Sequence, residues 1–306
     1  MNDKNATNSA AGLSKREAQL ISDSLEVEQV AAREAGALGV ITRVMAQATL
    51  PYLDPKLPPG MLYSRKTGLY TVNIVPTTTK YGIPYGTIPR LVLAWICTEA
   101  VKTGDRTLLL GRSQRDFLQK IQLDDGGHDI ARMREQCMRL FRAVVSIEYE
   151  DETGEGSRRL PITDSDMIFW SRASPDAASV WQSRLELTEQ FYNEIKAHPV
   201  PIDMRAYYAL SKSPMAMDVY AWLTYRMFVL RAGKKKVARV PWLGLKAQLG
   251  TALTDDAAGL SMFKFRFKQR LKEVLLFFPE AADHVKDEGT CLILTPCRPH
   301  LPESRR

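Results

Sequence analysis

The densest chemistry in the chain lies at residues 263–272, FKFRFKQRLK, where Lys264, Arg266, Lys268, Arg270 and Lys272 stand among Phe263, Phe265 and Phe267. Cations packed this closely can neutralise phosphates, and a guanidinium can grip a guanine edge through two hydrogen bonds. Strict alternation suggests a half-buried strand. The longer window GLSMFKFRFKQRLKEVLLFFPE, 259–280, fits a helix better, with Ser261 near its start and Pro279 at its end. At about 100° per residue, Leu260, Phe263, Phe267, Leu271, Val274, Leu275 and Phe278 share one arc. Arg266, Lys268, Gln269, Arg270 and Lys272 fall opposite, with Phe265 among them. The acids in this window are Glu273 and Glu280 alone. A helix facing only solvent usually mixes signs, so the cationic arc reads as a surface that meets an anion, with a solvated face as the alternative.

Charge along the chain limits the partner. The 306 residues carry a net +7, and 201–280 hold 14 Lys and Arg against 6 Asp and Glu, so that block alone is +8 and the remainder is −1. Distributed cations in one block suit a polyanion better than a small acidic metabolite. A membrane surface is the weaker reading, because the apolar arc lacks tryptophan and is needed for a core. No stretch of about 20 residues is apolar throughout, and MNDKNATNSAAGLSKREAQL lacks the apolar middle of a secretory signal, so a cytoplasmic protein is expected. The four cysteines suit a reducing compartment.

Catalytic and metal patterns are weak. No GxxxxGK[ST] phosphate loop occurs, which disfavours an ATPase or helicase. A nicking mechanism needs paired metal-binding histidines beside a nucleophilic tyrosine, and His128, His198, His284 and His300 are isolated. Lys102-Thr103-Gly104 and Ser261-Met262-Phe263-Lys264 match fragments of penicillin-binding enzyme motifs, but in the wrong order and without Ser-Asp-Asn. Cys291, Cys297 and His300 lack paired spacing, and Asp124, Asp125, His128 and Asp129 read as a polar turn and helix cap. No catalytic residue, metal or cofactor is therefore expected, and a serine-type hydrolase using Ser261 is a distant alternative.

The elements around the cationic helix suggest how it is positioned. An apolar helix from about 214 to 231, a basic GKKK loop, a strand VARVPW, a short helix ending at Gly250, a turn, the cationic helix and a strand CLILTP follow in the order of a winged helix. Ser261, Lys264, Phe265, Arg266, Lys268, Gln269, Arg270 and Lys272 then become candidate DNA-facing residues. Phe265 either touches a thymine methyl or packs beneath the wing. Lys234, Lys235, Lys236 and Arg239 either contact phosphates or are merely solvated.

The first half repeats the order: helix 87–104, strand 107–111, helix 113–123 capped by Ser113, turn, helix 129–145 and a hairpin over 146–162. On the second of those long helices Ile130, Met133, Cys137, Leu140, Phe141 and Val144 share an arc, and Arg132 and Arg139 lie opposite as weaker DNA-contact candidates. The fold class is accordingly α+β, mostly helical, with two tandem winged-helix domains and an N-terminal helical extension. Residues 1–60 read as a loose start, a helix over 24–48 with Leu25, Val30, Leu38, Ile41 and Val44 as apolar contacts, and a Pro-rich connector. Residues 61–198 form the first domain, suited to dimerisation or backbone contact; 199–300 form the basic, sequence-reading second; and 301–306 form a tail. The first 20 residues, small and polar, read as disordered.

The run YGIPYGTIPRLVLAWICTEAVKTGDRTLLLGRSQRDFLQKIQL, 81–123, resembles the signature region of plasmid-encoded RepA-type replication initiators. AMDVYAWLTYR and the later helix-turn-helix are also similar to that family, and the resemblance spans roughly 60–296. It implies a bacterial initiator that binds repeated duplex DNA sites at a plasmid origin, helps open them and recruits host replication proteins such as the helicase, initiator and polymerase machinery. It further implies a homodimer in equilibrium with an active monomer. A winged-helix transcription repressor, including a repressor of its own gene, is the nearest alternative.

Overall fold

The computed structural model describes residues 14–301 apart from 48, 68–69, 124–126, 153, 172–173, 175–176, 178, 180–181 and 251–252. Residues 1–13 of the expected loose start, Asp124 and Asp125 of the turn cluster, the His128 side chain and residues 302–306 of the tail lie outside that description.

Helix α1 (Lys15–Gln29) begins at a capping box. The Ser14 hydroxyl accepts from the Glu17 N–H at 3.2 Å, and the Glu17 carboxylate accepts from the Ser14 N–H at 2.9 Å. Residues 15–20 are thus helical, where small polar composition suggests disorder. Strand β1 (Leu38–Thr42) and short helix α2 (Arg43–Gln47) then replace the single helix expected over 24–48. Gly36 turns the chain at φ +64°, and β1 finds an antiparallel partner at 199–203. Short apolar runs fit either period, so the sheet partner decides. Ile41 and Val44 are buried, whereas Leu25 and Val30 remain exposed.

β2 (Tyr63–Thr67) and β3 (Tyr70–Pro76) lead to α3 (Ile88–Thr103), which carries Pro89 in its first turn and ends at Gly104 with φ +69°. β4 (Thr107–Gly111) and α4 (Gln114–Lys120) follow, the latter capped by Ser113 as its sequence predicts. Next come α5 (Gly127–Phe141) and the hairpin β5 (Ala143–Asp151) and β6 (Gly154–Pro161). Val144, expected on the helical arc, is a strand residue because the helix stops at Phe141. β7 (Thr163–Met167), β8 (Ser183–Leu187) and α6 (Glu189–Ala197) complete the first half.

The second half runs β9 (Pro199–Asp203), α7 (Met204–Ala209), α8 (Pro214–Ala232), β10 (Ala238–Pro241), α9 (Trp242–Leu249), α10 (Ala257–Phe277), β11 (Val285–Asp287) and β12 (Cys291–Leu294). From α8 onward, helix, strand, helix, helix and hairpin follow in the expected order, and β10, β12 and β11 pair antiparallel in that spatial order.

The first half keeps the helix order but not the sheet. β4 pairs with β8, and the β5–β6 hairpin joins β2 and β3 in a four-stranded sheet ordered β2-β3-β5-β6. The switch follows from pattern matching. β8 buries Ser183, Leu185 and Leu187 in alternation and sets Leu185 opposite Leu108, while β4 buries Leu108 and Leu110.

Two apolar cores result, and α3 serves both. Leu91 and Ala94 join the core of the second half, while Val92, Leu93 and Ile96 join that of the first. A helix apolar on all sides is a buried helix, and α8 has the same character from Met215 to Leu223. Between α3 and α8 lies one buried ion pair. Arg90 meets Asp218 through Nε to Oδ1 and Nη2 to Oδ2, both at 2.8 Å, and both side chains are buried. Arg90 also donates to the carbonyls of Leu50 at 2.6 Å, Gly86 at 2.5 Å and Pro51 at 3.5 Å, and its guanidinium lies 5.2 Å from the centre of the Tyr52 ring. Burial opposes the Arg90 charge, and Asp218 more than offsets it, so the guanidinium holds its proton more tightly than in water.

Removing one member strands a charge in the interior, so Asp218→Ala is expected to cost about 3–5 kcal/mol in urea unfolding. The double variant Arg90→Met/Asp218→Leu should recover most of that loss. If the single variant costs less than about 1 kcal/mol, the pair does not hold the two halves together.

Candidate nucleic-acid interface

Helix α10 begins earlier than its sequence suggests. Asp256 is the cap, accepting from the Gly259 N–H at 2.6 Å, which places Ser261 in the second turn. Phe263 and Phe267 are fully buried, and Leu271, Val274 and Phe277 continue the buried stripe. Trp242, the first residue of α9, meets Phe263 and Phe267 edge-on at 6.2 and 5.4 Å, and Trp222 of α8 meets Phe267 at 5.8 Å. This aromatic wedge orients the helix.

The cationic residues divide into two groups. On the side toward the β11–β12 turn, Lys264 donates to the Gly289 carbonyl at 2.6 Å and Lys268 forms an ion pair with Asp287. Both ammonium groups lie over the Trp242 ring, at 5.7 and 5.8 Å. Asp287 also accepts from the Trp242 indole N–H at 2.9 Å and from the Gly289 N–H at 2.8 Å. Gly289 sits at φ +82°, as the tight turn requires. Lys264 and Lys268 therefore brace the turn as well as facing outward.

Arg270 is drawn back to Glu273 at 2.9 Å, and Glu273 also accepts from Arg16 of α1 at 2.8 Å. The N-terminal helix thus lies against the C-terminal half of α10. Among the described residues, Ser261, Arg266, Gln269 and Lys272 have exposed side chains with no hydrogen bond or ion pair. Phe265 stands among them, 59% exposed, so packing beneath the wing is not its environment.

Away from α10, Lys234, Lys235 and Lys236 are exposed on the turn after α8. Arg239 pairs with Glu288 at 3.0 Å across the small sheet, with both side chains exposed. Arg132 is exposed beside Asp129 at 3.3 Å. Arg139 departs from its expected role. Its side chain is mostly buried, donates to the Ile83 carbonyl at 3.1 Å and to Glu135 at 2.9 Å, and lies 5.3 Å from the centre of the Tyr85 ring. It anchors the 83–85 segment rather than a partner.

Cys291 begins β12, Cys297 is buried, and His300 packs on Phe278 and Tyr220 at 4.9 and 5.6 Å. Among the described residues no group of three or more His, Cys, Asp or Glu could hold a metal ion. No described helix is long and apolar enough to cross a membrane.

Nothing in the local sequence marks Trp242, Asp287 or Arg16 as part of this face. Trp242 reads as core at a strand–helix junction, and Asp287 as part of the polar turn Asp287-Glu288-Gly289. Their contacts with α10 span 19 or more residues, and local pattern carries no such signal.

A mixed helix-and-strand chain presenting an outward cationic helix braced by a small sheet is the class of protein that this fold and face define. Residues 83–242 match the family described as plasmid encoded RepA protein, and the chain belongs to that family of replication initiators. The matched stretch contains both Arg90 and Asp218 and ends at Trp242, before α10. No curated protein matches the sequence. Solved structures that resemble the chain include two of RctB. One, of selenomethionine derivatives of domains 2 and 3 of RctB, has a TM-score of 0.48 and 13% identity, covering 85% of this chain and 98% of that one. The other, of RctB domains 2–3 over 155–483, has a TM-score of 0.46 and 15% identity, covering 83% and 96%.

Asp287 supplies a pH test. Burial raises its pKa, but hydrogen bonds from Lys268, Trp242 and Gly289 outweigh that and bring it down from 3.8 to about 2. A carboxylate depressed on folding stabilises above its unfolded pKa and loses that contribution as pH falls through the folded one. The stability gap between the parent and Asp287→Asn should therefore be full above pH ~4 and shrink toward pH ~2 in urea unfolding. A gap independent of pH would show that the contacts do not act through the charge.

Proposed function

We propose that this protein is a non-enzymatic initiator of plasmid replication that binds repeated duplex sites at an origin and reads them with α10. The observation that carries this reading is the outward face of α10, where Arg266, Gln269 and Lys272 stand without protein partners on a helix held by the Trp242 wedge. Unpaired, positioned cations need no rearrangement to meet phosphates and guanine edges. Lys234, Lys235 and Lys236 extend the positive surface and suit backbone contact.

The second half is read as a winged helix, supported by its element order and its β10-β12-β11 sheet. The first half is read as a modified relative whose hairpin is absorbed into a larger sheet; it positions the second and contributes Arg132 toward the backbone. Origin opening, recruitment of host helicase and polymerase machinery, exchange between dimer and monomer, and residence in the cytoplasm belong to the same proposal by family membership.

The test is anisotropy with the full chain on duplex fragments of the DNA flanking its gene, against scrambled duplex across a salt series. Tight binding to one repeated segment with a steep salt slope is the expected result. Arg266→Ala should lose about 5- to 160-fold on that segment and far less on scrambled DNA. Lys235→Ala should weaken both alike and lower the salt slope by about one. Equal weak binding to every duplex would refute the reading.

A further inference from the structure

We infer that Phe265, with Met262 beside it, recognises thymine C5-methyl groups in the bound site, an inference that rests on α10 being the DNA-reading helix. Phe265 is 59% exposed and Met262 45%. They stand three residues apart, hence about 60° apart on one face of the helix. Neither serves the core, which Phe263 and Phe267 fill from the opposite arc.

The surroundings define what can cover them. At about 100° per residue, Phe265 lies near the centre of the outward arc, flanked by Ser261, Met262, Lys268, Gln269 and Lys272. No acid of α10 itself stands on that part of the face, since Glu273 lies a turn further on, held by Arg16 and Arg270, and Asp287 of the neighbouring turn meets it only at its Lys268 edge. The occupant is therefore anionic at its edges and apolar at its centre. Duplex DNA has that chemistry: phosphates flank the major groove, and the thymine methyl is the apolar group on its floor. A lipid surface fits less well, because the larger apolar arc of α10 is committed to the core. Each covered methyl contributes about a fourfold gain in affinity.

The experiment uses the full chain and two otherwise identical fragments of the DNA flanking its gene, one with thymine and one with uracil throughout, plus scrambled duplex of each kind. The parent should bind the thymine fragment about 4- to 15-fold more tightly than the uracil fragment, as expected for one or two covered methyls. Phe265→Ala should bring that ratio close to one while still preferring the origin fragment to scrambled DNA. Phe265→Leu should retain part of it. An unchanged thermal midpoint, expected for so exposed a side chain, separates the effect from misfolding. A parent ratio of one with the origin preference intact would overturn the methyl contact and leave the DNA-reading role of α10 standing. A Phe265→Ala ratio equal to the parent's would overturn the assignment to Phe265. If neither fragment outcompetes scrambled duplex, the DNA-reading role of α10 fails, and this inference with it.

Discussion

Arg90 and Asp218 form the constraint on which the architecture turns. A guanidinium and a carboxylate, both buried, are tolerable in a protein interior only when their hydrogen-bonding capacity is met. Here Arg90 satisfies Asp218 from two nitrogens and reaches three backbone carbonyls of the 50–51 and 86 segments. The pair therefore fixes α3 against α8 and also pins the connector that approaches α3. Apolar packing alone would tolerate some sliding of two all-round apolar helices. A bidentate pair specifies one register, and each half inherits its orientation from it.

From that register the placement of α10 follows. α8 carries Trp222, which meets Phe267, and Trp242 closes the same wedge from the other side. The cations of α10 consequently have unequal fates. Lys264 and Lys268 lean over Trp242 toward the turn at Gly289, Arg270 is recruited by Glu273, and Arg266 and Lys272 remain unpaired. A stretch that is uniformly basic in one dimension becomes a bracing edge, a covered end and a free face in three.

Much of the fold is legible in the chain itself where local rules dominate. Ser113 announces α4, Pro279 ends the α10 region, and the spacing of Phe263, Phe267, Leu271 and Val274 marks the buried stripe. The boundaries fail where a distant partner competes with local preference. Leu38–Thr42 looks helical until β9 supplies hydrogen bonds to it, and the first hairpin is legible while its pairing with β3, and that of β4 with β8, is not. Arg139 looks outward on a helical projection, yet the 83–85 segment folds over it.

The order of elements from α8 onward, the amphipathic character of α10, the basic block around it and the resemblance to plasmid initiators are legible in the chain, because periodicity, capping and charge are properties of neighbouring residues. Which cations are free, that Phe265 projects outward instead of packing beneath the wing, and that α1 covers the far end of α10 emerge from the folded chain alone. Those outcomes depend on contacts such as Arg16 with Glu273 and Lys268 with Asp287, between residues far apart in the chain. The physical reason is that a side chain's availability depends on what the folded chain brings beside it.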